Sequence, residues 1–319
     1  MQMREAIGGY FEIEGKGIGQ FPHKDGILLN TGRNALEFIL RQIPDITNIL
    51  LPYFTCKVVL EPIKKLNIPF SFYHINKDLE IDEEIKLCEG EYIIVNNYFG
   101  IKDAYIQQLF DYFGEHLIVD NAQSFFAPII SGMKSFYSCR KFFGVPDGGI
   151  AYGVSGGALF EFDDSIDHCS HLFIRKELCA EAGFESFKRN ECKLNNQDIK
   201  YMSELTKGIL NRIDYNEVKL KRRRNFEFLH SILSERNSFT IPDSRTFQCP
   251  MIYPFKDSKG INYRKKLIQN RVYIAKYWPH LAANESFNFE SQLADEIIPL
   301  PIDQRYNLSD MQIIAQIVI

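Results

Sequence analysis

The chain predicts an α/β protein with a mainly parallel sheet, followed by a smaller α+β region. Short apolar runs at residues 49–51, 69–73, 92–95 and 117–120 alternate with stretches of helical periodicity, the pattern of parallel strands joined by crossover helices. After residue 250 the pattern changes to isolated strands and helices of mixed order. With 319 residues, 45% of them hydrophobic, the chain can bury one large core or two unequal ones.

Residues 1–25 are glycine-rich and lack periodicity, and they read as an arm lying over the main body. The first firm helix follows Gly32, where Ala35, Leu36, Ile39, Leu40 and Ile43 recur at helical spacing and Glu37 stands four residues before Arg41. A strand at 49–51, a helix at 58–64 and a strand at 69–73 come next, then a strand at 92–95 and a helix at 104–113. The run Leu117-Ile118-Val119-Asp120 completes this alternation with a strand ending on a carboxylate. Residues 148–152 and 157–162 read as two strands around Ser155-Gly156, a possible hairpin at the sheet edge. From 195 to 233 the chain is mostly helical without proline and passes into the smaller region. A strand near Met251, a helix at 261–270, a strand at 271–275 and a helix after Asn307 finish it. The expected division is an arm at 1–25, a large domain at 26–205 and a small α+β domain at 206–319.

A formal net charge of -4 gives no global basic field for nucleic acid or an anionic membrane, so small-molecule ligands are expected. No segment approaches the roughly 20 apolar residues of a membrane span, and seven cysteines without CxxC spacing read as reduced thiols, which together predict a cytoplasmic protein. His168, Cys169, His171, Cys179 and Cys192 lack the spacing of zinc ligands, so no metal site is predicted. The basic run Lys219, Lys221, Arg222, Arg223 and Arg224 falls on the long helical stretch. It reads as a solvated face or a subunit contact.

Chemistry concentrates around Ser138-Cys139-Arg140-Lys141, which is followed by Gly144 and by Gly148-Gly149. Schiff-base formation with pyridoxal phosphate needs a primary amine that can lose its proton, and an arginine cannot supply one because its guanidinium stays charged. Asp120, ending a buried strand upstream, calls for a cationic partner, and a protonated pyridine nitrogen fits that need. Gln123 offers a hydrogen bond to the ring hydroxyl. Thr31-Gly32-Arg33-Asn34 opens a helix, where free backbone amides and the positive helix end suit a phosphate. Ser135 and Ser138 are further candidate phosphate donors, with an ordinary loop hydroxyl as the alternative for each.

In order, a phosphate turn, then an aspartate, then a lysine, these pieces resemble the DegT family of fold type I pyridoxal-phosphate enzymes, many of them sugar-nucleotide aminotransferases. The resemblance spans nearly the whole chain and includes Leu51-Pro52-Tyr53-Phe54-Thr55-Cys56, Asn97-Tyr98-Phe99-Gly100, Asp120-Asn121-Ala122-Gln123, the Lys141 loop, Tyr306 and Met311. It implies a mainly parallel, seven-stranded type of sheet. It also implies Lys141 as the Schiff-base lysine, Asp120 on the pyridine nitrogen, Gln123 on the ring oxygen, and Gly32, Arg33 and Asn34 on the phosphate.

Two departures from the family pattern set alternatives. Counting back from Gly148-Gly149, the commonest family spacing puts Arg140 in the lysine position, so Lys141 requires a following loop one residue shorter. An aromatic that often covers the cofactor ring falls at Cys56, which leaves Phe54, Tyr98 or Asn97 for that face. The resemblance further implies an amino-acid donor such as glutamate, a keto-sugar acceptor that is nucleotide-linked, a place in cell-envelope polysaccharide biosynthesis, and a homodimer. In such a dimer Ser203 or Thr206 would reach the partner's phosphate site or else lie on a helix surface. The alternatives are a sugar dehydratase using the same cofactor, and a non-catalytic binding protein with Arg140 in the lysine position. Trp278 and His280 face a substrate or form a packed aromatic corner.

Overall fold

The computed structural model describes residues 5–15, 19–156, 159–257, 260–281 and 284–319. Strand β1 (Ile7–Gly8) opens the chain and β2 (Ile27–Leu29) leads to helix α1 (Gly32–Arg41). Thr31 caps α1 by accepting the Asn34 amide at 3.0 Å. The alternation then runs β3 (Asn48–Pro52), α2 (Leu60–Lys65), β4 (Phe70–Tyr73), β5 (Glu91–Asn96), α3 (Asp103–Phe113) and β6 (Leu117–Asp120). Strands β7 (Lys134–Ser138) and β8 (Gly149–Tyr152) flank a single 3-10 turn at Cys139–Lys141. Helices α4 (Ser170–Glu177), α5 (Ala180–Lys193), α6 (Glu204–Leu210) and α7 (Tyr215–Leu233) follow. The rest comprises β9 (Ile252–Lys256), α8 (Gly260–Gln269), β10 (Val272–Tyr273), α9 (Asn288–Glu296), β11 (Ile297–Pro301) and α10 (Leu308–Val318).

Seven strands form the main sheet in the order β2-β8-β7-β6-β5-β3-β4, with β8 antiparallel to both neighbours and the other pairings parallel. Along β6, Leu117 and Val119 enter one apolar core while Ile118 enters the core on the opposite face, and β5 divides Ile93 and Val95 from Ile94 in the same way. Both sheet faces are therefore buried, which is why these strands read as unbroken apolar runs. Two smaller pairings lie apart from it, β9 with β11 antiparallel and β1 with β10 parallel.

The strands end in register where polar residues begin. Asn96 pairs with Asp120, and Asp120 with Phe136, so β5, β6 and β7 deliver Asn97, Asp120 and Ser138 to one edge. That edge is the carboxyl end of the parallel strands, where open α/β sheets bind ligands.

Three expectations change. The described residues of the hairpin's second strand, 159–162, form no strand: Gly157 and Ala158 lie outside the described residues, and Phe162 makes an isolated bridge with Tyr201 while β8 pairs with β2 and β7. The stretch from 195 to 233 contains two helices, because Asp214 accepts the Asn216 and Glu217 amides and starts α7 afresh. Arg222 is not on a solvated face. It is 1% exposed, since α7 packs under the lysine turn and turns that residue inward.

Candidate active site

A cleft of about 770 Å³ opens at the strand ends, lined by Gly32, Arg33, Asn97, Asp120, Gln123, Ser138, Arg140, Lys141 and Trp278 among others. Seven of the nine predicted site residues thus share one cavity. Asn34 and Ser135 do not line it. The Asn34 side chain donates to Asn30 at 2.7 Å and to the Asp198 carbonyl at 2.6 Å, so it braces the start of α1. Ser135 is buried, 2% exposed, three residues before Ser138 on β7.

The lysine loop is fastened to α1 by close backbone approaches. The Gly148 amide donates to the Asn30 carbonyl at 2.6 Å, and its own carbonyl accepts the Cys139 amide at 3.0 Å. A Cβ at Gly149 would lie 2.1 Å from the Thr31 carbonyl oxygen, so only glycine fits there. Behind the loop, the buried Asp147 carboxylate accepts the Ser203 amide and hydroxyl, each at 2.8 Å, and the Thr206 hydroxyl. Ser203 and Thr206 are thereby committed within their own chain and buried. That commitment overturns a role at a partner's phosphate.

Arg140 and Lys141 differ sharply in their surroundings. Arg140 forms an ion pair with Glu191 of α5, and its side chain is 17% exposed. Lys141 is exposed on the cleft and has no hydrogen bond or ion pair among the described residues. Glu191 was not legible as a partner, because the pairing spans 51 residues and no local pattern marks it.

Asp120 sits across from that amine. Burial pushes its carboxyl from 3.8 up to about 6, while the Ala122 amide, 2.8 Å away, and the positive charge of Lys141 pull it down. No described cation pairs with it. Gln123 accepts the Phe99 amide at 2.9 Å through its carbonyl oxygen, leaving the amide NH₂ without a described partner. Asn97 is held by Asp103 at 2.8 Å, by Asn121 at 3.0 Å and by the Lys102 amide at 3.2 Å, so the cleft receives a fixed polar surface.

Phe54 and Tyr98 are buried and do not line the cleft; Trp278 packs edge-on to Phe54 at 4.6 Å and presents its own surface there. At the start of α1, Gly32 lies close to Ser138, with an added Cβ only 3.6 Å from the Ser138 Cβ. Helix amides and a hydroxyl therefore converge on one corner of the cleft. The Arg33 guanidinium is engaged by Glu61 at 2.9 Å and Asn195 at 2.6 Å.

Among the described residues, no group of three His, Cys, Asp or Glu side chains is placed to hold a metal ion. No described helix is long and apolar enough to cross a membrane.

The sheet order, the one antiparallel strand and the site at the strand ends define the fold as that of the fold type I pyridoxal-phosphate transferases. Solved structures agree with that assignment. Sugar aminotransferase CalS13 from Micromonospora echinospora superposes with a TM-score of 0.63 at 14% identity, covering 93% of this chain and 88% of its own. A DegT DnrJ EryC1 StrS aminotransferase from Brucella abortus gives 0.58 at 14% identity, covering 92% and 84%. NtdA from Bacillus subtilis, with bound cofactor PMP, gives 0.63 at 14% identity, covering 92% and 72%. At such identities the likeness establishes the fold. No protein-family sequence model matches the chain, and no curated protein sequence matches it.

Proposed function

We propose that this chain is a pyridoxal-phosphate-dependent aminotransferase of the DegT type, acting on a keto sugar. The observation that carries the reading is the placement, across one cleft, of a buried carboxylate that makes no described ion pair and feels the charge of a lysine amine that itself has no described hydrogen bond or ion pair. The residues fit the group. Asp120 supplies the negative charge a pyridinium nitrogen needs, Gln123 a free donor for a ring oxygen, and the α1 terminus with Ser138 a phosphate corner. Bound there, pyridoxal phosphate would supply an electron sink for negative charge at the carbon that exchanges its amine.

The protein's own residues then divide the work. Lys141 holds the reactive amine and moves a proton across the cleft. Glu191 pairs with the neighbouring Arg140 at the cleft wall, so the guanidinium charge is balanced there and the Lys141 amine is left without an ion pair. Trp278 closes one wall against water.

The finer reading takes glutamate as amino donor and a nucleotide-linked sugar as acceptor, in a cytoplasmic homodimer serving cell-envelope polysaccharide synthesis. It is supported by the resemblance, and the sugar aminotransferase CalS13 among the solved structures supports only its sugar substrate. The expected division into an arm, a large domain at 26–205 and a small domain at 206–319 belongs to the same reading.

Purified protein mixed with pyridoxal phosphate and reduced with borohydride is expected to carry the cofactor on residue 141, located by peptide mass spectrometry, with Lys141→Ala carrying none. Parent protein that gains neither visible absorbance nor a fixed cofactor would instead point to the non-catalytic alternative.

A further inference from the structure

Lys141 ends a single helical turn, and residues 142–148 beyond it have no regular secondary structure, so something else must hold the amine in register with Asp120. The contacts come from three distant parts of the chain. Gln304, three residues past the end of β11, donates through Nε2 to the Phe142 carbonyl at 2.8 Å and to Glu14 at 2.7 Å. Its Oε1 accepts from the Arg222 Nε at 2.9 Å. With both amide hydrogens and the carbonyl engaged, the side-chain amide has only one orientation that satisfies its partners. Arg222 places its guanidinium 4.5 Å from the Phe142 ring centroid and donates to the Met251 carbonyl at 3.0 Å. Glu14 in turn accepts the Gly144 amide at 3.2 Å. At Gly144 the arm is so close that an added Cβ would lie 1.7 Å from the Glu12 carbonyl oxygen.

We infer that Gln304, oriented by Arg222 and Glu14, is the positioning residue for Lys141: it fixes the carbonyl of the next residue and so the direction of the amine. The inference rests on the proposed function for the role of Lys141, but the anchoring itself does not. A buried amide that bonds a loop carbonyl holds the loop through hydrogen bonds with a net worth of roughly 1 kcal/mol each, enough to bias local opening. Arg222 contributes a flat, fully charged surface that a lysine would not reproduce.

The test uses Gln304→Met, which keeps the side-chain length and removes all three hydrogen bonds, at pH 8, where Glu14, raised by burial to about 7, is mostly ionised. Two quantities are read: hydrogen exchange of the amides at 142–148 without cofactor, and the rate at which borohydride traps pyridoxal phosphate on Lys141. Exchange is expected to quicken at least roughly fivefold and trapping to slow by a similar factor, the size expected for loss of one such contact of roughly 1 kcal/mol, to which the other two add. Unchanged exchange in folded variant protein would overturn the inference. So would faster exchange with unchanged trapping, because the loop would then be held without any effect on the amine. If the parent traps no cofactor, the proposed function fails, and exchange alone decides whether Gln304 holds the loop. Should Gln304→Met not fold, Glu14→Gln leaves one acceptor oxygen for two facing donors, the Gly144 amide and the Gln304 Nε2, so one of those two contacts is lost. Faster exchange confined to 143–145 supports the anchoring, and no change refutes it.

Discussion

Asp120 shows how a single side chain stores a site's requirement. Its folded carboxyl titrates near 6 against an ordinary 3.8, so between those values the folded state binds more protons than the unfolded chain and stability falls as pH rises. The difference of about 2 units corresponds to about 3 kcal/mol as an upper figure, absent below pH 3.8 and complete above pH 6. Asp120→Asn is therefore expected to stabilise the cofactor-free protein at pH 7 and to lose that advantage near pH 4, as urea unfolding at the two values would reveal; equal stabilities at pH 7 would count against the assignment. A protonated pyridine ring would offset the same cost in the parent and none of it in the variant. The neighbouring pair makes a second case. Because Glu191 engages residue 140 in an ion pair, the double variant Arg140→Lys with Lys141→Ala is expected to trap no cofactor, and fixation at residue 140 would show that the amine can act from that position instead.

At the scale of elements, the lysine turn depends on what α1 permits. Gly149 is pressed against Thr31 and Gly32, with a built Cβ 2.1 Å from the Thr31 oxygen and 2.6 Å from the Gly32 nitrogen, both backbone atoms that cannot rotate away. Gly149→Ala must separate β8 from the start of α1, and a loss of roughly 3 kcal/mol or more is expected in denaturant unfolding, together with a weaker hold on inorganic phosphate. Gly208→Ala is the control, for nothing lies within 4 Å of its added Cβ. The glycine pair was visible in the sequence, and so were α1, β3, β5 and β6, because apolar periodicity is local and these elements bury what the pattern marks. Strand β7 was not, since Ser135 and Ser138 interrupt its apolar character and its burial comes from both neighbours. Arg222 was misread for the same reason in reverse. A basic run signals solvent unless tertiary contacts, here Gln304 and Phe142, draw one member inward.

Across the whole molecule, the N-terminal arm, expected from the sequence to lie over the main body, meets residues 272–273 and 305–306 beside the cleft, and no pattern in the sequence announces those partners. Ile7 and Gly8 pair in parallel with Val272 and Tyr273, and the Gly8 amide donates to the Tyr306 hydroxyl at 2.7 Å across 298 residues. Around that point Arg175 donates to the Gly8 carbonyl at 2.9 Å, and Arg305 donates to the Tyr10 carbonyl at 2.9 Å. Gly8, Gly9, Tyr10 and Phe11 also line the cleft, so the first described residues form part of its wall. Tyr306→Phe keeps the ring and removes the acceptor, leaving a buried amide whose hydrogen bond costs about 1 to 3 kcal/mol to lose. If the arm is a wall of the site rather than a loose appendage, the variant lowers the unfolding midpoint and also speeds exchange at residues 7–11. A midpoint shift with unchanged exchange there would place the hydroxyl's role in the C-terminal core instead. The two results differ because Tyr306 touches both regions, while Gly8 belongs only to the arm.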